Sequence, residues 1–256
     1  MLDIGVMRIL VCIPFLLYAC YSDLKNRRVS NLVWLPMIGV GAVLALLDFI
    51  DHGFISLLNF GLSVMLISAF AYVLFKMGAF GGADAKAIIS LAIVVPTFHP
   101  IRLFEHSIPL AGIPPLNLFA FSTFGNALIL TSVVPFFVFI YNLVHLNRDE
   151  MMEKPAYLFL GYKSKISELK NRRHIRLMEN YVEEGGRVIR KFSRRGIAID
   201  EEVVETLQRF AKEGKIPERI WITPGLPFMI PLTLGFITAV VYGDFIYLII
   251  ISILGT

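Results

Sequence analysis

The chain is 256 residues long, 56% hydrophobic, and carries 21 Phe with a formal charge of only +4. That apolar content is too high for a soluble globular domain and indicates a chain that crosses a membrane several times. The basic residues come without groove-reading or aromatic motifs, which argues against a nucleic-acid ligand, and the two cysteines, Cys12 and Cys20, make neither a disulfide framework nor a Cys-x-x-Cys zinc site.

The first apolar run extends from Ile4 to Tyr21. Its basic cluster, Lys25, Arg27 and Arg28, follows the run, and no small-residue cleavage site closes it, so it reads as a retained helix and not a signal peptide. Both cysteines lie in this run and are expected to be small buried side chains. Leu32 to Leu47 and Phe54 to Phe75 follow, each close to the ~20 apolar residues that a bilayer requires. The next run, Ala85 to Val95, ends before Pro96 and reaches roughly 17 Å, about half the hydrocarbon core. It is either a short crossing helix or a re-entrant element. Leu116 to Val144 and Leu226 to Leu254 are the last two runs.

Charge placement chooses between those alternatives. Lys25, Arg27 and Arg28 put the first loop in the cytoplasm, and most of the 24 Lys and Arg residues fall between Arg148 and Arg219. If the short run crosses, that basic segment also lands in the cytoplasm. The expectation is therefore a mainly α polytopic membrane protein with six transmembrane helices, the fourth short, and both termini outside. Residues 1–145 would form helices 1–5, and residues 223–256 the sixth. Segment 146–222 would be a small α+β cytoplasmic domain. In it, Asp200 suits an N-cap, Val203, Val204, Leu207 and Phe210 share one helical face, and Gly214 suits the C-terminal stop. Ala156–Leu160, Ile175–Leu177 and Arg219–Ile222 are compatible with short strands.

Two acids stand at ends of apolar runs on the cytoplasmic side of this topology: Asp23, between Ser22 and the basic cluster, and Asp84, after Gly81, Gly82 and Ala83. Ionisable groups at membrane depth are costly, and each is a candidate functional group. Taken singly, Asp23 reads as a solvated partner for Lys or Arg and Asp84 as a helix N-cap. If the chain folds so that the two meet, they form a carboxylate pair that can share a proton and activate water. Asp48 and Asp51 fall at the outer end of the second run. Asp244, inside the last run, falls in its outer half, where it suits an interface acid or a partner of Tyr242 or Tyr247. His52, His99, His106, His145 and His174 share no ligand spacing and receive no role.

Gly81-Gly82-Ala83-Asp84, opening a membrane helix, resembles the Gly-x-Gly-Asp signature of intramembrane aspartyl proteases. With Ser22, Asp23, Leu24, Lys25, Asn26, Arg27 and Arg28 closing the first helix, the chain resembles the prepilin peptidase group, and most of all the archaeal preflagellin peptidases. Ala83 departs from the signature by one methyl group. The chain has neither the paired Cys-x-x-Cys motif nor the long first loop of bacterial prepilin peptidases, so no N-methylation is expected. The resemblance implies that Asp23 and Asp84 are catalytic, that no metal or other cofactor is needed, and that the substrates are preflagellins or prepilin-like proteins met in the lipid bilayer at the cytoplasmic face.

On physical grounds, one carboxylate would draw a proton from water while the protonated partner holds the scissile carbonyl. Asp84, at a helix start beside Lys86, is the partner expected to be ionised. Gly81, Gly82 and Ala83 would let an extended substrate strand approach. Pro224, Gly225 and Pro227, before the last helix, leave backbone groups free and suit a docking edge, similar to the proline motif of presenilin-type proteases. Two rival classes remain: an ion-coupled carrier using Asp23 and Asp84 as proton or cation sites, and a membrane-anchored scaffold. Against the carrier, both acids lie near one face and not at the midplane, and no inverted repeat is visible.

Overall fold

The structure is a computed structural model describing residues 3–103, 106–171, 175–225 and 227–255. It divides into two compact units, Met1–Thr131 with Pro227–Thr256, and Ser132–Leu226. Leu226 and His174, both named above, lie outside the described residues.

The first unit begins with three long helices, α1 (Ile4–Asn26), α2 (Asn31–His52) and α3 (Phe54–Lys76). Local chemistry sets their ends. Asp3 accepts the Gly5 N–H at 2.7 Å and Ser30 accepts the Leu32 N–H, so the first turns of α1 and α2 are capped. Arg27, in the left-handed region, stops α1 and donates its N–H to Asp23 O. α1 therefore runs past Asp23, which sits in the last helical turn and not in a loop.

The short fourth run forms α4 (Gly82–Val94), packed against α1, α2 and α3. Ala85, Ala87, Ile88, Ser90, Leu91, Ala92 and Val94 are buried, which leaves almost no free face. A helix apolar all round is a core element. Walled by protein, α4 need not match the hydrocarbon thickness as a lipid-facing helix must. The long helices around it expose Leu, Ile, Phe and Tyr instead.

The fifth run forms α5 (Phe119–Ser132) and α6 (Val134–His145), and the last run forms α9 (Met229–Val241) and α10 (Phe245–Leu254). Among the described residues, four helical stretches are long and apolar enough to cross a membrane: Ile4–Asn26, Asn31–His52, Phe54–Lys76 and Phe119–His145. The pair α9 and α10, bent by 58°, makes a fifth if taken as one span. The chain is thus mainly α and polytopic, with a mixed α/β region.

The bend explains Asp244. Leu110 and Ala111 donate their N–H groups to Val241 O and Tyr242 O, and buried Asn126 donates to Gly243 O (2.8 Å) while accepting from Phe245 N. These bonds satisfy backbone groups that the break frees, as an apolar setting demands. Asp244 caps α10 by accepting the Tyr247 backbone N–H, and Ser122 Oγ donates to its second oxygen at 2.6 Å. Its tyrosine partner is a backbone amide, not a hydroxyl. Gly235 lets α9 approach α5, since a Cβ there would lie 2.4 Å from Thr123 O.

One charged pair inside this unit has no counterpart in the sequence analysis. Arg8, in the middle of the first apolar run, is fully buried and donates to Val94 O (2.9 Å) and to Asp48 Oδ2 (3.1 Å). Asp48 also accepts from Ser56 Oγ at 2.7 Å and contacts His52 Nδ1 at 2.9 Å. A charge here is tolerable only because it is paired.

In the second unit, α6 precedes α7 (Arg148–Glu153), and a four-stranded antiparallel sheet follows with order β3-β6-β4-β5. Its strands are β3 (Tyr162–Lys165), β4 (Ile175–Glu184), β5 (Arg187–Ala198) and β6 (Arg219–Pro224). The smaller pair β1 (Ile101–Leu103) and β2 (His106–Ile108) belongs to the first unit. Gly185 and Gly186, both at positive φ, make the two-residue β4–β5 turn. The amphipathic helix expected near Asp200 is α8 (Glu201–Lys212): Asp200 accepts the Val203 N–H, and Val204, Leu207 and Phe210 are buried.

Strand alternation builds two cores. Leu177, Ile220 and Ile222 join the α8 side, while Met178 and Trp221 join Leu146 and Leu158 on the other. Ala156–Leu160, read above as a strand, instead falls largely in a 3-10 helix over Pro155–Phe159. The sequence boundary at 145/146 also differs from the contact boundary at Thr131/Ser132. The reason is α6, whose buried Asn142 donates to Leu158 O and Gly161 O and whose Phe139 ring stacks on Phe159.

Removing one member of the Arg8–Asp48 pair strands a buried charge. Asp48→Asn and Arg8→Met are each expected to cost about 3–5 kcal/mol, with the double variant losing clearly less than their sum. Thermal unfolding of the detergent-solubilised chain measures this.

Candidate active site

The sequence places Asp23 near the end of one helix and Asp84 near the start of another, and α1 packs against α4. Both carboxylates are half-buried, and they lie near enough for the Asp23 charge to act on the Asp84 carboxyl. Folding thus brings together two acids far apart in the sequence, each between apolar helix packing and an exposed rim.

Each carboxylate rests on one backbone amide. Asp84 Oδ2 accepts the Gly81 N–H at 3.0 Å, and Asp23 Oδ2 accepts the Met229 N–H, at the start of α9, at 3.3 Å. Asp84 is therefore not the N-cap expected from sequence. Gly81 is the N-cap, and Asp84 reaches back from the third helical position, as the acid of a capping box does. The helix-start donor expected for Asp84 has an equivalent at Asp23, supplied by a helix far along the chain. Sequence reasoning missed Met229 because its contribution is a backbone N–H, which no residue type announces; its one trace is the proline two residues earlier.

α1 is fastened to α9 by a second contact. The Cys20 thiol donates to Met229 O at 3.2 Å and lies 3.0 Å from Thr233 Oγ1. Cys12 is buried among apolar neighbours as expected, whereas Cys20 is only half-buried and hydrogen-bonded. Ser22 Oγ donates to Arg28 O at 2.7 Å, which folds the basic segment back over the last turn of α1.

The remaining sequence-derived residues separate. Gly81 and Gly82 are exposed and Ala83 is half-buried. Lys86 is exposed and donates to Asn31 Oδ1 at 2.7 Å, turning its charge toward the start of α2. Pro224 ends β6 opposite Ile175, so it is a sheet residue; Gly225 follows it, and Pro227 accepts the Ile230 N–H where the chain enters α9. Asp48 and Asp244 are both committed to the buried networks described above.

Both acids are half-buried and each accepts one backbone N–H, and only Ala83 separates Asp84 from an exposed glycine pair. A carboxylate of this kind can take a proton from water or, when protonated, donate a hydrogen bond to a carbonyl.

Residues 10–130, which include both aspartates, match the model described as the type IV leader peptidase family, and residues 153–245 match Archaeal Peptidase A24 C-terminus Type II. The chain is similar to the preflagellin peptidase of Methanocaldococcus jannaschii, 26% identical over 255 residues, with 94% of this chain and 95% of that protein covered. It is similar to the preflagellin peptidase of Methanococcus voltae at 23% over 237 residues, covering 92% and 95%. The prepilin peptidase EppA of Methanothermobacter thermautotrophicus is 26% identical over 142 residues, covering 54% of this chain and 36% of that protein.

The two glycines before Asp84 are not equivalent. A Cβ on Gly81 would stand 3.0 Å from Asp84 Oδ2, whereas one on Gly82 would meet only Phe75, at 3.8 Å. Gly81→Ala is expected to displace the carboxylate and accelerate amide hydrogen exchange in the first turn of α4, and Gly82→Ala to leave that exchange near the parent value.

Proposed function

The chain belongs to the archaeal preflagellin and prepilin peptidase family, as an aspartic endopeptidase of that type, and we propose that Asp23 and Asp84 are its catalytic dyad. Its substrates in this reading are preflagellins or prepilin-like proteins, cut between a basic leader and the hydrophobic segment after it. The observation that carries the assignment is the convergence of these two acids at abutting helix ends, each with its own backbone N–H.

The reaction follows from that arrangement. With one carboxyl ionised and the other protonated, the ionised one takes a proton from water and the protonated one donates a hydrogen bond to the scissile carbonyl. Water oxygen adds to the carbonyl carbon to give a tetrahedral intermediate. Its collapse breaks the C–N bond as a proton passes from the dyad to the leaving nitrogen. The substrate must be extended there, because a helical carbonyl is already engaged. Gly81 and Gly82, exposed and without side chains, leave room for such a strand, with Ala83 and Lys86 beside it. Pro227 sits at the start of the segment leading to Met229 and is the part of the proline-rich stretch that this reading retains.

The proposed topology has six crossings, with α4 the short fourth and the bent α9–α10 pair the sixth. Both aspartates and the basic 146–222 segment then face the cytoplasm. This side suits a leader whose positive charges stay in the cytoplasm.

Asp23→Asn and Asp84→Asn are each expected to lower turnover of a leader-bearing preflagellin by about 100- to 10,000-fold. The double variant should be no worse than either single, since the two act as one unit. Asp244→Asn should retain most activity. Substantial turnover by either single variant removes that aspartate from the mechanism.

Topology is testable separately by labelling single cysteines in a background lacking Cys12 and Cys20. Lys25→Cys, Gly82→Cys and Arg190→Cys should react only from the cytoplasmic side. Leu110→Cys, half exposed at 53%, should react only from outside. Labelling of Arg190→Cys and Leu110→Cys from one side would show that α4 does not cross.

A further inference from the structure

We propose that Phe80, Phe124 and Phe228 form an aromatic clamp that positions the two backbone N–H groups on which Asp84 and Asp23 rest; the inference builds on the dyad assigned above. Phe80 immediately precedes Gly81, the donor to Asp84, and Phe228 immediately precedes Met229, the donor to Asp23. The Phe80 and Phe228 rings are in contact, with centroids 5.4 Å apart and planes at 46°. Phe124, from α5, stands edge-on to Phe80 at 5.2 Å and 83° and lies 6.4 Å from Phe228. Phe70 of α3 backs Phe124 at 5.3 Å. Two donors from distant parts of the chain are therefore each one residue from a ring of the same cluster.

The need for such an anchor comes from the glycines. Backbone bonds from Gly78, Ala79 and Phe80 to Phe75 and Leu74 hold the turn after α3 as far as Phe80. Beyond it, Gly81 and Gly82 have no side chains to pack and are exposed. The Phe80 ring is the last side chain that can fix where the Gly81 N–H points. Edge-to-face rings prefer particular offsets, so displacing one shifts its neighbours. Movement of the Gly81 turn is thereby coupled to movement of the α9 start, and the two carboxylates keep their spacing. Phe124 is 7% exposed and packed inside the bundle, which suits a positioning residue and not a substrate contact.

The test compares Phe80→Leu, Phe124→Leu and Phe228→Leu with Phe119→Leu in the full-length chain, using a leader-bearing preflagellin as substrate. Phe119 belongs to a second cluster of the same chemistry, 5.0 Å from Phe98 and 5.5 Å from Phe236, and serves as the packing control. Each clamp variant should lower kcat by at least about tenfold, towards the ~100-fold that a 1 Å misplacement carries. KM should stay within roughly twofold, and double variants should be no worse than singles. Phe228→Tyr, which keeps the ring, should restore most of the turnover. Phe119→Leu should lose comparable thermal stability and keep kcat.

Amide hydrogen exchange gives a readout independent of activity: Phe124→Leu should accelerate exchange in both 78–84 and 227–232, and Phe119→Leu in neither. An equal kcat loss in Phe119→Leu, a raised KM with kcat intact, or unchanged exchange in either segment would overturn the clamp. Accelerated exchange in both segments, in a protein that cleaves no leader, would uphold the clamp and reject the proteolytic reading.

Discussion

The N–H groups of a helix's first turn have no partner within the helix, and in an apolar bundle something else must accept them. Much of the first unit is organised around that constraint. Asp3, Ser30 and Asp244 meet it at the starts of α1, α2 and α10. Asp23 accepts the Met229 N–H at the start of α9, and Asp84 accepts the N-cap N–H of α4. The proposed catalytic acids thus do what ordinary caps do, with two differences. They are close enough for the charge of Asp23 to act on Asp84, and only Ala83 separates Asp84 from a pair of exposed glycines.

The same constraint explains why a short helix can sit at the centre. α4 is surrounded by α1, α2 and α3, so its length is not set by the bilayer, and its first turn can lie where α1 ends. The Arg8–Asp48 pair ties α1, α2 and the last turn of α4 together, through Val94 O and Leu44 O as well as the carboxylate. Asn126 plays the comparable part at the α9–α10 break, where one amide side chain serves both a carbonyl and an N–H. Polar groups inside this unit act chiefly as splices between backbone segments.

The second unit follows the rules of water-soluble folds. Its sheet alternates in period two between a core under α8 and a core around Trp221. Glu179, 2% exposed, is held by Lys154 and by the hydroxyls of Tyr157 and Tyr181, so its charge is paired. The unit also takes in α6, which as sequence is indistinguishable from a membrane helix. Its apolar side chains Phe136, Phe137, Ile140 and Val144 stay exposed, as those of a lipid-facing helix do, and Asn142 is its buried residue.

What the sequence determined by itself is what depends on local pattern. Long apolar runs specified the polytopic helices, because the length of a run is a property of contiguous residues. Asp200, Val204, Leu207, Phe210 and Gly214 specified α8 by the same kind of regularity. Asp23 and Asp84 stood out as acids at the ends of apolar runs, each with motif neighbours. Tertiary structure alone decided what depends on partners from elsewhere in the chain. It moved Asp84 from cap to third helical position, took Pro224 into the sheet, split the last run at Asp244 and paired Arg8 with Asp48. It also supplied the Met229 N–H and the three-ring cluster. A backbone amide carries no residue signature, and a phenylalanine that positions a donor looks in sequence like any other of the 21. Local pattern fixes which groups are costly to bury, and only the packed chain settles which distant group compensates each one.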